Sequence, residues 1–79
     1  MNLLELKKIL NQVTKGPWTS IVEGRDQVSG SSFIMTGNEE NRGYDIEFIN
    51  IKESDQDFMA LSRNISPELI DEIERLRIY

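Results

Sequence analysis

The chain has 79 residues, of which 38% are hydrophobic, and this length and apolar content predict one small folded domain. It contains no His and no Cys, which excludes chemistry that needs an imidazole, a thiolate or a disulfide. The formal net charge is −5 and no basic stripe is present, so we expect no direct nucleic-acid partner.

The N-terminal segment shows the spacing of an amphipathic helix. Its apolar residues recur every three or four positions, at Leu3, Leu6, Ile9, Leu10 and Val13. Gly16 and Pro17 follow and are typical of a helix end. The pattern predicts a first helix over residues 3–14.

Three β-rich runs come next, at residues 18–22, 32–36 and 44–51, and they predict an antiparallel meander. Alternation assigns one face to Trp18, Val22, Phe33, Met35, Tyr44, Ile46 and Phe48, and the other face to Ile21, Ile34, Ile49 and Ile51. A sheet with apolar residues on both faces needs cover on both, from helices or from another copy of the chain. We therefore expect a homo-oligomer, most simply a dimer. Trp18 is expected to be a main core residue.

The C-terminal third carries two helix-start signals. Ser54 precedes acidic residues and an apolar stripe, and Ser66, Pro67 and Glu68 repeat this pattern of cap, proline and acid. We predict two short helices there. The expected fold is α+β, a single domain over residues 1–79 with the order α-β-β-β-α-α.

Chemistry centres on the loop over residues 24–32 and the turn near Arg42. Glycines allow close approach of a ligand, serine hydroxyls bind phosphate or ribose oxygens, and arginine forks bind anions. The candidate ligand-binding residues are Arg25, Asp26, Ser29, Gly30, Ser31 and Arg42, with Arg63 as a contributor from a helix. The alternative is that these residues only form hairpin turns. We assign no catalytic residue, metal ligand or cofactor.

Several motifs resemble a known group of proteins. These are Gly16-Pro17-Trp18, Gly24-Arg25-Asp26, the run Phe33-Ile34-Met35-Thr36-Gly37 and the segment from Asp55 to Arg77. The chain resembles small proteins of phages and prophages of Gram-positive bacteria, and its tail is similar to Ea22-like phage proteins. The resemblance implies an accessory protein made by a phage in its host.

Two functions are consistent with this resemblance. One is a non-enzymatic binding protein that sequesters a small anionic, nucleotide-type signal of a host defence system, with sites expected between subunits. The alternative is an acidic protein that inhibits a host enzyme acting on nucleic acid, by occupying a basic groove. No run is apolar enough to span a bilayer, and the charged start is unlike a signal peptide. We expect no membrane partner and a location in the host cytoplasm.

Overall fold

Two helices and a three-stranded antiparallel sheet build the structure, a computed structural model that describes residues 2–27 and 30–77. The elements are α1 (Leu3–Gln12), β1 (Trp18–Ile21), β2 (Phe33–Thr36), β3 (Ile46–Glu47) and α2 (Glu53–Arg77). The strands lie in the order β1-β2-β3. The predicted α+β class and antiparallel meander are confirmed.

The N-terminal helix and its following turn form much as predicted. The Asn2 side chain accepts a hydrogen bond from the Glu5 N–H at 3.0 Å and caps α1. The helix ends at Gln12, before Gly16 and Pro17. Trp18 is only half-buried, and its indole N–H donates to the Thr14 carbonyl at 3.0 Å. Trp18 therefore braces the turn after α1 and lies at the margin of the core.

The sheet register differs from the predicted faces. Trp18 lies opposite Thr36, and Ser20 lies opposite Ile34. Since paired residues share a face, Ile34 is on the same face as Trp18, while Phe33 and Met35 are on the other. The predicted grouping of Trp18 with Phe33 and Met35 is wrong. The buried positions among the described residues are Leu3, Val22, Ile34, Ala60 and Ile70, together with the polar residues Thr36 and Gln56.

The third strand is shorter than the predicted run of residues 44–51. It covers only Ile46–Glu47, which pairs with the first half of β2. Tyr44 and Ile49 on either side are 84% and 98% exposed. Because neither side chain is buried, packing does not favour extending this edge strand.

The C-terminal segment is one continuous helix, so the prediction of two short helices is wrong. The Ser66 hydroxyl does not cap a new helix but donates to the Ser62 carbonyl at 2.5 Å. Pro67 lies inside α2 and removes the backbone donor that would pair with the Arg63 carbonyl. The helix continues because one face packs on both sides of the proline, through Ala60 before it and Ile70 after it.

Two amide side chains attach α2 to β1. Asn64 accepts from the Trp18 N–H at 2.7 Å and donates to the Trp18 carbonyl at 2.7 Å. Gln56, which is fully buried, donates to the carbonyls of Ile21 and Phe33 at 3.1 and 2.9 Å. Asn64 thus bonds to the start of β1 and Gln56 to its end, and α2 runs antiparallel to the strand.

The internal proline generates a stability prediction. Pro67→Ala restores the missing backbone hydrogen bond at an exposed helix position and should raise the free energy of unfolding by about 1–2 kcal/mol. For a chain of this size, each kcal/mol of added stability raises the Tm by about 4–8 °C. The measurement is thermal unfolding followed by circular dichroism, with the neighbouring surface change Glu68→Ala as control. A lower Tm for Pro67→Ala would show that the proline begins a separate helix in solution.

Candidate functional site

The motif Gly24-Arg25-Asp26 forms a closed turn after β1. The Asp26 carboxylate accepts a hydrogen bond from the Val22 N–H at 2.9 Å, and the Gly24 N–H donates to the Gln27 carbonyl at 2.8 Å. Gly24 has a φ of +83°, a conformation that side-chain-bearing residues rarely adopt. The glycine and the aspartate of this motif are therefore explained by the turn itself.

The Arg25 guanidinium joins this turn to the first turns of α2. It donates to Asp26 at 2.8 Å, to Glu53 at 2.6 Å and to both carboxylate oxygens of Asp57, at 2.8 and 3.0 Å. Three carboxylates thus surround one cation, a cluster that we call the Arg25 clamp. Its net charge is negative, which disfavours a phosphate ligand at this position.

Ionisation within the clamp follows from these contacts. Hydrogen bonds from Arg25 lower the pKa of Asp57 to about 2. The nearby Ser20 hydroxyl makes a smaller contribution to this lowering of the pKa, although the Ser20 oxygen makes no hydrogen bond of normal geometry. Arg25 also lowers the pKa of Asp26, and the Val22 N–H adds to this effect. The three carboxylates, Asp57 foremost, raise the pKa of Arg25 above its ordinary value. Arg25, Asp26 and Asp57 are therefore ionised at neutral pH.

The other sequence-predicted site residues are dispersed. The Ser31 carbonyl accepts from the Gln27 side chain at 2.7 Å, Gly30 is exposed beside it, and Ser29 lies outside the described residues. Arg42 forms an ion pair with Asp45 at 2.7 Å, and its backbone pairs with that of Gly37 in an isolated β-bridge. Gly37 directly follows the β2 residue that lies opposite Trp18, at the start of β1. The Arg25 clamp lies beyond the other end of β1, whose length is about 10 Å. The structure does not bring Arg25 and Arg42 together.

A cleft of about 780 Å³ opens where α1, the turn after it and the middle of α2 meet. Its walls include the apolar side chains of Leu10, Val13, Pro17, Pro67 and Ile70. Its polar residues are Lys7, Asn11, Lys15, Arg63, Asn64 and Asp71. The volume is within the range of pockets that bind small molecules. Of the residues predicted from the sequence, the cleft contains Arg63.

Charge distinguishes this cleft from the rest of the acidic chain. Three cations line it, against one carboxylate. Lys7 forms an ion pair with Glu74 at 3.1 Å, but Lys15 and Arg63 have no ion-pair partner among the described residues. The Arg63 Nε donates to the Thr14 carbonyl at 3.1 Å, which fixes the guanidinium beside the cleft. Arg63 and Lys15 can therefore attract an anion there.

Sequence reasoning missed the remaining cleft residues. Gly16 and Pro17 indicated only the end of a helix, and neither Lys15 nor Asn64 was singled out as a site residue. The cleft residues on α1 and α2 are more than 50 positions apart in the chain, and only their packing creates the cleft.

Comparison with family models, with curated proteins and with solved structures finds no match to this chain. In the described residues, no group of three or more Asp or Glu side chains is arranged to hold a metal ion. No helix in the same ranges has the length and apolar character needed to cross a membrane. The site must therefore be interpreted from its own geometry.

The clamp predicts unequal effects for the two loop arginines. Arg25→Ala leaves three carboxylates facing one another and should lower the Tm, whereas Arg42→Ala removes one exposed ion pair and should change stability by less than about 1 kcal/mol. Differential scanning fluorimetry of both variants at neutral pH makes the comparison. Equal Tm values for Arg25→Ala and the wild type would show that the clamp is not structural.

The lowered carboxylate pKa values predict a dependence of stability on pH. A carboxyl group whose pKa is lower in the folded state than in the unfolded state stabilises the fold above the unfolded pKa. For Asp57 this contribution is present above pH about 4 and is lost as the pH falls toward about 2. Urea unfolding from pH 7 to about 2 should show a smaller loss of stability for Asp57→Asn than for the wild type. Glu39→Gln, a change in an exposed loop, is the control, and parallel curves for Asp57→Asn and the wild type would contradict the assignment.

Proposed function

We propose that this protein is a non-enzymatic binding protein that holds a small anionic ligand of nucleotide size in the cleft between α1 and α2. The observation that carries the proposal is the coincidence of a cleft of about 780 Å³ with two cations, Lys15 and Arg63, that lack ion-pair partners in the described part of the chain. Four of the nine basic side chains form ion pairs with carboxylates. One of the four is at the margin of the cleft and three are elsewhere: Lys7, Arg25, Arg42 and Arg75.

The composition of the cleft favours a ligand with both a charged and a flat apolar part. The Arg63 guanidinium is held by the Thr14 carbonyl through Nε, and its terminal amino groups have no acceptor among the described residues. A planar guanidinium with free N–H groups binds phosphate or carboxylate oxygens in a defined orientation. The walls formed by Val13, Pro17 and Ile70 provide apolar contact for a base or a similar ring.

Binding without catalysis is the simpler interpretation of this geometry. Asp71 is the sole carboxylate on the cleft wall in the described residues, and the chain contains no His or Cys. A general acid–base pair or an activated nucleophile would need a second titrating group within hydrogen-bond reach. Sequestration of a nucleotide-type signal of a host defence system is consistent with the resemblance to phage proteins, and this biological role is part of the proposal.

The inhibitor hypothesis also remains a proposal, with less support from the geometry. It relies on acidic residues of the C-terminal half, several of which are engaged within the chain: Asp45 by Arg42, and Glu53 and Asp57 by Arg25. A carboxylate that already pairs with an internal arginine offers less charge to a basic partner. We therefore favour ligand binding.

The first experiment is a thermal-shift screen of the full chain against linear and cyclic nucleotides, with inorganic phosphate as a separate arm. A ligand at about 100 times its Kd should add roughly 2.7 kcal/mol to the free energy of unfolding, or about 10–20 °C in Tm for a domain of this size. Stabilisation by a nucleotide but not by phosphate indicates that the apolar walls contribute. A complete panel without a shift contradicts the proposal.

A charge-reversal pair then locates the site. Lys15→Glu removes one cleft cation and should weaken binding roughly tenfold to a hundredfold without changing the Tm of the free protein. Lys8→Glu makes the same change on an exposed residue of α1 that does not line the cleft. Isothermal titration of both variants is the measurement. Equal loss in both would indicate a general field effect, and loss with Arg42→Ala instead would favour the loop site predicted from the sequence.

A further inference from the structure

The outward side of α2 carries an apolar stripe that no described residue covers. Its five side chains are 38–64% exposed: Phe58, Leu61, Ile65, Leu69 and Leu76. At 100° per residue they lie within about 80° of one another around the helix, and they extend about 27 Å along its axis. We call this set the α2 stripe.

The α2 stripe is separate from the surfaces that α2 uses within the chain. Gln56, Ala60 and Ile70 are buried against the sheet and α1, and Arg63 and Pro67 line the cleft. These residues lie about half a turn around the helix from the α2 stripe. One helix thus carries a core face and, on its opposite side, an apolar surface open to solvent.

We propose that a second copy of this chain covers the α2 stripe, with the two α2 helices antiparallel across a twofold axis. The folded chain leaves more apolar side chains exposed than it buries: among the described residues, ten large hydrophobic side chains are exposed and five hydrophobic residues form the core. Half of those ten belong to the α2 stripe. A surface of this kind on so small a core is typical of an interface between subunits.

The area is sufficient for a dimer. With about 200 Å² for a fully exposed large side chain, the exposures of the α2 stripe amount to about 550 Å² per copy. Two fully covered stripes would bury about 1,100 Å² before flanking polar atoms are counted, which reaches the lower limit for a specific interface. An isologous contact through one helix face is the simplest geometry that buries both stripes.

The spacing of the α2 stripe suits the antiparallel orientation, because four of its five residues are placed symmetrically about position 67 of the helix. In an antiparallel pair, a register that sets Ile65 opposite Leu69 of the second copy also sets Phe58 opposite Leu76. These four residues then each have an apolar partner in the α2 stripe of the second copy.

Sedimentation equilibrium of the full chain tests the dimer. The expected mass is twice the 9.2 kDa of one chain. Leu69→Glu places a carboxylate in the middle of the α2 stripe and should give a folded monomer, because half of the Leu69 side chain is already exposed. Ile49→Glu makes a similar change at a more exposed residue outside the α2 stripe and should remain dimeric. Phe58→Glu repeats the test if Leu69→Glu does not fold.

Three results would overturn the proposal. A wild-type monomer at high micromolar concentration would leave the stripe for another protein. A dimer that survives both Leu69→Glu and Phe58→Glu uses a different surface. Dissociation by Ile49→Glu alone would also place the interface elsewhere.

The orientation has its own test because the chain contains no cysteine. Phe58→Cys and Leu76→Cys proteins are mixed and oxidised under mild conditions. Antiparallel helices should give mainly the mixed disulfide, whereas parallel helices would give disulfides within each variant and contradict the assigned register. The ligand proposal is tested separately, since Leu69→Glu should still bind in the cleft and Lys15→Glu should still dimerise.

Discussion

The attachment of β1 to α2 by two side-chain amides organises this small protein. Asn64 and Gln56 are eight residues apart, about 12 Å along a helix, and the strand from Trp18 to Ile21 spans about 10 Å. The two lengths match, so each amide meets backbone groups of the strand. Asn64 pairs with both polar groups of Trp18 on the outer edge of the sheet, which protects an edge that would otherwise be unpaired.

The same antiparallel relation extends beyond the strand. Lys7 of α1 pairs with Glu74, Thr14 accepts from Arg63, and after β1 the Arg25 side chain reaches Glu53 and Asp57. The first third of the chain thus lies along α2, from the C-terminal end of that helix to its N-terminal end. Polar contacts are prominent in this arrangement because the apolar core of the described residues has only five members. The cleft lies between the end of α1 and the start of β1, where these two elements leave a gap against α2.

The two sides of α2 consequently differ in what they contact. One side binds α1 and the sheet, the cleft opens along the same side near Arg63, and the opposite side carries the α2 stripe. A helix with apolar residues on two sides is unusual for a monomeric surface helix, which normally has a single apolar stripe. The proposed ligand binding and the proposed self-association are therefore compatible in this fold, because they would use opposite sides of the same helix.

The sequence by itself determined the kinds of elements and their order. The spacing from Leu3 to Val13 defined α1, Gly16 and Pro17 defined its end, and β-rich runs separated by turn residues defined the meander. These features depend on local periodicity and backbone preference, which a short segment expresses without its neighbours. The candidate residue Arg63 was also identified, although its neighbours in the site were not.

Only the tertiary structure determined which residues share a face of the sheet, the continuity of α2 as one helix and the location of the cleft. A shift of one residue in register exchanged the faces of Phe33 and Ile34, and sequence alternation alone does not fix that register. Packing on both sides of Pro67 outweighed a local signal for a new helix start. Arg25 looked like an anion-binding residue until the fold placed Glu53 and Asp57 beside it, some 30 positions later in the chain. Contacts between segments distant in sequence set the charge and shape of a site, and no local pattern records them.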